Sequence, residues 1–383
     1  MRILILGGDG YLGWATAMYL SAKGHHVTAV DNYLRRTACL EMNVEPLMAV
    51  PTFETRSSLW HANSDYQVQT LVGDVCDARL LRALVQEFQP EGVVHYAEQP
   101  SAPYSMAGFE RAARTVQNNL MSTLTLTYAV KDLAPGCHIV KLGTMGEYGT
   151  PNIDIEEGYL DVTHKGRSQR FLYPKTPGSI YHLSKVNDSD LLYFATRTWG
   201  LAVTDLNQGP VYGIETDELQ ADERLSPIFN YDHIFGTVIN RFIVQAVAGF
   251  PLTVYGKGGQ TRGFINIRDT LRCVELALLR PAASGEFRVF NQFTEAYSVL
   301  GLAEKVANVA RGMGFKKVSV QSIENPRKEK EEHYYHAAHS GLRDLGLIPN
   351  LLTDSVIEGM LRFAIRYRDR INTDYILPRV KWV

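Results

Sequence analysis

The chain of 383 residues is predicted to be an α/β protein, with a doubly wound parallel sheet and a smaller mixed α/β domain. Three observations carry the prediction. Short apolar strand-like runs alternate with helix-length segments through the first half, the pattern of a parallel sheet covered by helices. A glycine-rich turn joins the first run to the first helix. An acidic residue closes the second run. The composition agrees, with 45% hydrophobic and 21% charged residues, ordinary for a soluble globular chain with a large core.

Residues 3–6 read as the first strand, followed by a helix to about Lys23 and a second strand at 26–30 that ends on Asp31. The stretch 35–65, with Pro46 and Pro51, is too long for a simple connector and reads as a partly helical flap near the bound ligand. Further strands follow at 68–72, 92–95, 138–142 and 202–206, with helices at 78–87, 111–131 and 179–199. Beyond Asn207 the alternation loosens: helix 232–248, strand 253–255, helix 269–279, strand 286–290, then helices 298–311 and 354–367 with a strand near 318–322. This assigns 1–206 to a dinucleotide-binding domain, with returning segments at about 232–249 and 264–292. Residues of about 207–231, 250–263 and 293–383 are left for a substrate-binding domain.

The formal net charge of −2 gives no basic footprint for phosphate neutralisation, so nucleic acid is not an expected partner. The opening apolar run is far shorter than the roughly 20 residues of a membrane span, so a membrane partner is not expected either. The four cysteines, Cys39, Cys76, Cys137 and Cys273, lack a Cys-x-x-Cys pair, which suits a reducing, cytosolic compartment.

Gly7-Gly8-Asp9-Gly10-Tyr11-Leu12-Gly13 runs from strand into helix, and Asp31 follows Gly7 by 24 residues. This is the dinucleotide-binding context of a Rossmann-type fold. Gly7, Gly10 and Gly13 let the backbone approach a pyrophosphate on the free N–H groups of the helix start, with Tyr11 and Leu12 between them. Asp31 accepts from ribose hydroxyls and repels a 2′-phosphate, with Asn32 beside it, so NAD is favoured although Arg35 and Arg36 lie close. Asp74, followed by Val75, is a candidate partner for the adenine amino group.

Tyr181 and Lys185 stand one helical turn apart on one face. With 20 tyrosines and roughly one residue in twenty a lysine, about one such pair arises by chance. The pair gains weight from Thr144, a hydroxyl at the carboxyl end of the 138–142 strand, where this architecture binds ligands. The Lys185 charge is expected to draw the Tyr181 pKa down from about 10, so that the phenolate takes a proton from a substrate hydroxyl as hydride leaves.

At this point the chain resembles the extended short-chain dehydrogenase/reductases, over nearly its whole length. The resemblance is carried by Ser101-Ala102-Pro103-Tyr104-Ser105-Met106, by residues 141–152 from Lys141 to Asn152, by Tyr181-His182-Leu183-Ser184-Lys185, and by residues 252–263 from Leu252 to Gly263. Within that family it is similar to the sulfosugar-forming branch. The resemblance implies tightly held NAD, UDP-glucose oxidised at carbon 4, loss of water across carbons 5 and 6, sulfite addition at carbon 6 and return of the hydride. It further implies cofactor contacts from Tyr96, Ala97, Glu98, Asn119 and Gln208, and substrate contacts from Gln99 and Tyr104. Arg262 and Arg327 would clamp the diphosphate, Thr253 and Tyr255 would line the uracil site, and two helices per subunit would pair in a homodimer, at 111–131 and 179–199.

A ketone at carbon 4 acidifies the carbon-5 proton, and Glu147 is the candidate base. Related 4,6-dehydratases read Thr-Asp-Glu where this chain has Thr144, Met145 and Gly146, so the acid for the departing hydroxyl is missing; His182 is the candidate substitute. Met145 is read equally as packing on the sugar or in the core. The branch also reads Glu-Gln-Arg-Ser-Ala-Pro-Tyr where this chain has Glu98-Gln99-Pro100. Loss of that cation leaves open a sulfite-independent 5,6-dehydratase acting on a nucleotide sugar or nucleoside. A non-catalytic NAD-binding sensor is a lesser alternative. His333, His336 and His339 fan around a surface helix at three-residue spacing and make no metal site.

Overall fold

The computed structural model describes residues 1–220, 222–327 and 334–382. Its first strands and helices follow the reading: β1 (Arg2–Leu6), α1 (Tyr11–Ala22) and β2 (His26–Asp31). The 35–65 stretch holds α2 (Leu34–Glu41) and α3 (Phe53–Asn63). The Thr52 hydroxyl caps α3 by accepting from the Thr55 N–H, and α3 buries Phe53 and Trp60 beside Trp14. Then come β3 (Val68–Val72), α4 (Ala78–Phe88), β4 (Gly92–His95), α5 (Ala102–Ser105), α6 (Phe109–Leu133) and β5 (His138–Thr144).

An antiparallel hairpin, β6 (Tyr159–His164) and β7 (Arg167–Leu172), was not anticipated. Its two-residue turn, Lys165 and Gly166, has positive φ at both positions, the geometry tight hairpins need. Helix α7 (Ile180–Trp199) starts where the Ser179 hydroxyl accepts from the His182 N–H at 3.1 Å. It stops at Gly200, a left-handed residue with φ of 73°. The remainder comprises β8 (Ala202–Gln208), β9 (Val211–Tyr212), α8 (Val238–Ala248), β10 (Leu252–Tyr255), β11 (Thr261–Asn266), α9 (Ile267–Leu279), β12 (Phe287–Gln292), β13 (Glu295–Ser298), α10 (Val299–Gly312), β14 (Val320–Ile323), α11 (Gly341–Asp344) and α12 (Asp354–Arg366).

Seven strands form one parallel sheet in the order β3-β2-β1-β4-β5-β8-β12. The order reverses between β1 and β4, so a crevice opens beyond their carboxyl ends. One face is packed by Trp14 of α1, Phe53 of α3 and Leu271 of α9. The other is packed by Leu81 of α4, Leu126 of α6 and Leu192 of α7. These strands are buried on both sides, which is why they read as apolar runs without alternation.

A second core joins α8, α10 and α12 with β10, around Phe242, Val254, Leu302 and Leu361. The 232–249 segment was expected to return to the sheet, but Ile239, Phe242, Ile243 and Val247 of α8 are buried in this second core instead. A continuously apolar helix does not reveal which of two cores it enters. Residues 267–292 do return, as α9 and β12. The hinge is tight, since Phe264 belongs to one core and its neighbour Ile265 to the other.

Candidate active site

The turn after β1 is shaped by contacts that only glycine permits. Gly7 has φ of +86°, and a Cβ there would lie 2.5 Å from the Tyr96 carbonyl carbon. A Cβ on Gly13 would lie 2.0 Å from the Gly7 carbonyl oxygen. Gly10 is the N-cap of α1 and offers no side-chain cap, which leaves the first-turn N–H groups of the helix open to an anion. Above this turn lies a cleft of roughly 480 Å³, within the range of ligand sites. Gly7, Gly10, Tyr11, Leu12, Gly13, Asp31, Asn32, Arg35, Val75, Tyr96, Ala97, Glu98 and Gln208 all line it. The cradle fits a dinucleotide.

Several expected cofactor residues are engaged elsewhere. Arg36 makes a bidentate pair with Asp9, 2.7 Å on each side, and donates to the carbonyls of Val50 and Pro51. Buried Arg56 from α3 pairs with the same carboxylate and also donates to the Asp9 carbonyl at 2.8 Å. The flap is thus fastened to the glycine-rich turn by a buried charge triad. Asp31 accepts from the N–H groups of Asp9, at 2.9 Å, and Tyr33, at 2.7 Å. Burial, then the neighbouring Asp9 charge, push its carboxyl up to about 6. Asp74 is exposed and accepts from the Cys76 N–H; Gly73 and Val75 beside it face the cleft. Asn119 is fully buried and clamps Gln99 N–H, Gln99 carbonyl and Ser184, while the adjacent Asn118 reaches the cleft.

Thr144 ends β5 in the cleft, and Tyr181 faces it from the first turn of α7. Lys185 lies one turn further on, buried, with its ammonium in an ion pair with Glu98. The expected depression of the Tyr181 pKa is not found. Burial and the Glu98 and Glu147 charges raise it, against smaller opposing effects of Lys141 and Thr144. Burial is the largest cause, and the Lys185 ammonium is held by Glu98.

Glu147 also departs from its expected place. It is fully buried behind Thr144, bonded by Lys141, Lys175 and Ser189, and it accepts from the Thr144 N–H at 3.3 Å. Burial opposes its charge, but the Lys141 and Lys175 ammoniums outweigh that and hold the carboxyl down to about 2. Such a group is a structural anion and a poor base. Met145 is partly buried and packs toward Tyr148, Ile155, Tyr173 and Phe293. His182 does line the cleft. A Cβ on Gly146 would lie 2.3 Å from its Nε2, so the imidazole fills the space a side chain at position 146 would need. Burial first, and then the charge of Arg327, lower its pKa to about 4, which keeps it neutral near pH 7.

At the far end the cleft is lined by Arg241, Tyr255, Arg262 and Arg327. Arg241 was missed by the sequence reading. It is buried and donates to the Tyr255 hydroxyl at 2.7 Å and the Thr253 carbonyl at 3.1 Å. A lone arginine inside an apolar helix was the available signal. Thr253 itself is buried and tied to Gln245. Tyr104 donates to Glu41 at 2.8 Å, and Gln99 donates to Ser101 and Thr115; neither is among the cleft residues. Pro100 is.

His336 pairs with Asp154, His339 stacks on Phe293, and the chain around Ala337 is extended against Ile155 rather than helical. His333 lies outside the described residues. Among the described residues no group of three His, Cys, Asp or Glu could hold a metal, and no helix is long and apolar enough to cross a membrane.

The glycine-rich cradle, the acidic strand end and Thr144 with Tyr181 in one crevice, Lys185 lying buried one turn behind, define a dinucleotide-dependent oxidoreductase class. The chain belongs to the NAD dependent epimerase/dehydratase family, whose model matches residues 3–291, and is an NAD-dependent enzyme. It is 50% identical over 381 residues to the chloroplastic UDP-sulfoquinovose synthase of Spinacia oleracea, across 100% of this chain and 79% of that one. It is 42% identical to UDP-sulfoquinovose synthase of Sulfolobus acidocaldarius, across 100% of this chain and 98% of that one. Among solved structures, UDP-glucuronic acid 4-epimerase from Bacillus cereus, in complex with UDP-glucuronic acid and NAD, superimposes with a TM-score of 0.70. It shares 20% identity, with 96% of this chain and 99% of that one covered, which shows the common fold.

Proposed function

We propose that this enzyme makes UDP-sulfoquinovose from UDP-glucose and sulfite by oxidising carbon 4, eliminating water across carbons 5 and 6, adding sulfite at carbon 6 and re-reducing. The observation that carries the reading is the meeting of Thr144, Tyr181 and His182 with Arg241, Arg262 and Arg327 in one cleft, in a chain full-length similar to two synthases of that name. NAD held on the glycine-rich turn would supply the acceptor and later the donor for the carbon-4 hydride.

The residues divide the remaining work. The glycine-rich turn holds the pyrophosphate, and Asp31 and Asn32 receive the adenosine ribose. Arg241, Arg262 and Arg327 hold the sugar diphosphate, each charge-assisted bond contributing roughly 1.5–3 kcal/mol. Thr144 orients the carbon-4 oxygen, and Tyr181 removes its proton and later restores it. Neutral His182 takes the carbon-5 proton and passes it to the carbon-6 hydroxyl, which leaves as water, so one imidazole replaces the acid and base that Met145 and Gly146 cannot supply. Bisulfite then adds through sulfur to the alkene carbon 6, and its proton is delivered by His182 to carbon 5.

Pro100 in the cleft wall keeps a second reading open, a dehydratase that reduces the alkene-bearing ketone without sulfite. The cleft's arginines support the first, since among the described residues its acidic lining is Asp31 and Glu98. Incubation with UDP-glucose, with and without sulfite, decides by mass spectrometry of the product. A sulfonated sugar formed only with sulfite is the expected result; a reduced alkene released without it overturns the assignment. Two further parts of the proposal are a cytosolic home, supported by the four free cysteines, and a homodimer through α6 and α7. The exposed Met121, Tyr128, Leu183 and Phe194 on those helices support the dimer.

A further inference from the structure

We infer that His233 is a specificity-determining residue: its Nε2 accepts a hydrogen bond from a sugar hydroxyl that the reaction leaves untouched, on carbon 2 or carbon 3. The inference rests on the nucleotide-sugar reading above and names a contact to that sugar.

His233 lines the cleft and is 8% exposed. It stands in the segment leading into α8, in a turn shaped by fully buried Asp232, which accepts from the Ile234 and Phe235 N–H groups at 2.9 and 2.8 Å. The imidazole Nδ1 lies 3.1 Å from the Tyr375 carbonyl oxygen. A carbonyl only accepts, so Nδ1 carries the hydrogen, and Nε2 of the neutral ring is a bare lone pair. Burial outweighs the Tyr375 carbonyl and Asp232 and holds the ring's pKa below the ordinary 6.5, so the neutral form is the one present near pH 7. That Nε2 is buried and, among the described residues, has no hydrogen-bond partner. A buried acceptor left unanswered is costly, so it marks a place where a ligand's hydrogen belongs.

The rest of the wall decides which hydrogen. Arg241, in the first turn of α8, gives its two Nη groups to Tyr255 and Thr253 and, among the described residues, keeps a buried Nε without a partner. The diphosphate answers that donor, but near neutral pH it has no hydrogen to offer Nε2. A sugar hydroxyl has one. The place fits as well. The Ser101 hydroxyl, at the start of α5, donates to the Ile234 carbonyl at 2.6 Å, and Ser105, at the end of α5, accepts from the Tyr181 N–H at 3.0 Å. The short α5 thus links the His233 turn to the start of α7, where carbon 4 is oxidised, while α8 links it to Arg241 at the far end of the cleft. The sugar ring lies between the two. Carbon 4 is held by Thr144 and Tyr181 and the carbon-6 hydroxyl is lost, which leaves the hydroxyls of carbons 2 and 3.

The test measures binding with NADH in place, so that no turnover intrudes. Calorimetry gives the affinities of UDP, UDP-glucose, UDP-2-deoxyglucose and UDP-3-deoxyglucose for the unaltered protein, for His233→Leu and for His233→Asn, whose carboxamide keeps the Tyr375 bond but falls short of the Nε2 position. In the unaltered protein one of the two deoxy sugars should bind about tenfold or more weaker than UDP-glucose, because it leaves Nε2 unanswered. In both variants that gap should close to about twofold or less, with UDP bound as tightly as before. Equal binding of both deoxy sugars and UDP-glucose by the unaltered protein overturns the inference, and this result needs no variant to fold. A gap that persists in either variant overturns it too. So does a loss of UDP affinity equal to that of UDP-glucose, which would place the contact on the uridine diphosphate or make it structural. Failure of UDP-glucose to reduce bound NAD⁺, with the binding pattern as expected, would instead sink the proposed reaction and leave the contact standing.

Discussion

At the scale of single residues, Glu147 is caged by lysines while His182 lines the cleft, so the proposal gives both proton-transfer parts to His182. Glu147 lies three residues from Thr144 and looked like the nearest carboxylate to the chemistry, yet its partners Lys141 and Lys175 are six and 28 residues away. Nothing in local spacing announces such a cage. Glu147→Gln leaves Lys141 partly unpaired in the interior, so it should cost about 3–5 kcal/mol of stability in denaturant unfolding, while coenzyme reduction in a single turnover survives. The sign with pH follows from the depressed carboxyl. Its contribution is complete above about 4.5, the ordinary value, and is lost as pH falls toward about 2. The variant should accordingly show a flatter acid limb across that window. His182→Gln has the opposite expectation: unchanged melting temperature, coenzyme reduction by UDP-glucose intact, and alkene formation reduced by about 10²–10⁴-fold, read by rapid-quench mass spectrometry. Elimination at the normal rate would remove His182 from the mechanism.

At the scale of elements, the strand–turn–helix at residues 2–22 was legible because steric rules act locally: three glycines, an apolar strand before and a helix behind admit few conformations. The structure sharpens this into a ranking. Gly13→Ala drives a methyl into the Gly7 carbonyl at 2.0 Å, whereas Gly10→Ala meets that oxygen at 3.4 Å. NAD binding by calorimetry should fall at least tenfold in Gly13→Ala, or folding should fail, and the loss in Gly10→Ala should be the smaller of the two. The β6–β7 hairpin was illegible for the converse reason. Apart from Val162 its outer residues, from Asp161 to Arg170, lack apolar side chains on either face, so no alternation marked it. Asn118 and Asn119 show the same limit at a helix surface: the resemblance pointed to the right turn, but only packing selects which asparagine faces the cleft.

At the scale of the whole molecule, the cleft is a seam between two cores. The sheet supplies the glycine-rich turn, Thr144 and Tyr181, and the second core supplies Arg241 and Tyr255. Different ligands should therefore protect different halves in hydrogen exchange: NAD the β1–α1 segment, UDP the α8–β10 segment, and both together the two at once. Protection of α8 by NAD alone would contradict this division. The parallel sheet followed from the alternation of runs and helices, but the allegiance of 232–249 did not, because an apolar helix suits either core. The Asp9–Arg36–Arg56 knot has its own reach across this architecture. Anyone retooling the protein toward a 2′-phosphorylated coenzyme by neutralising Asp31 alone would find the adjacent guanidinium already handcuffed to Asp9. Freeing Arg36 means unfastening α3 from the phosphate turn as well, so that guanidinium is tethered to the anchorage of an entire flap, while Arg35 already faces the cleft.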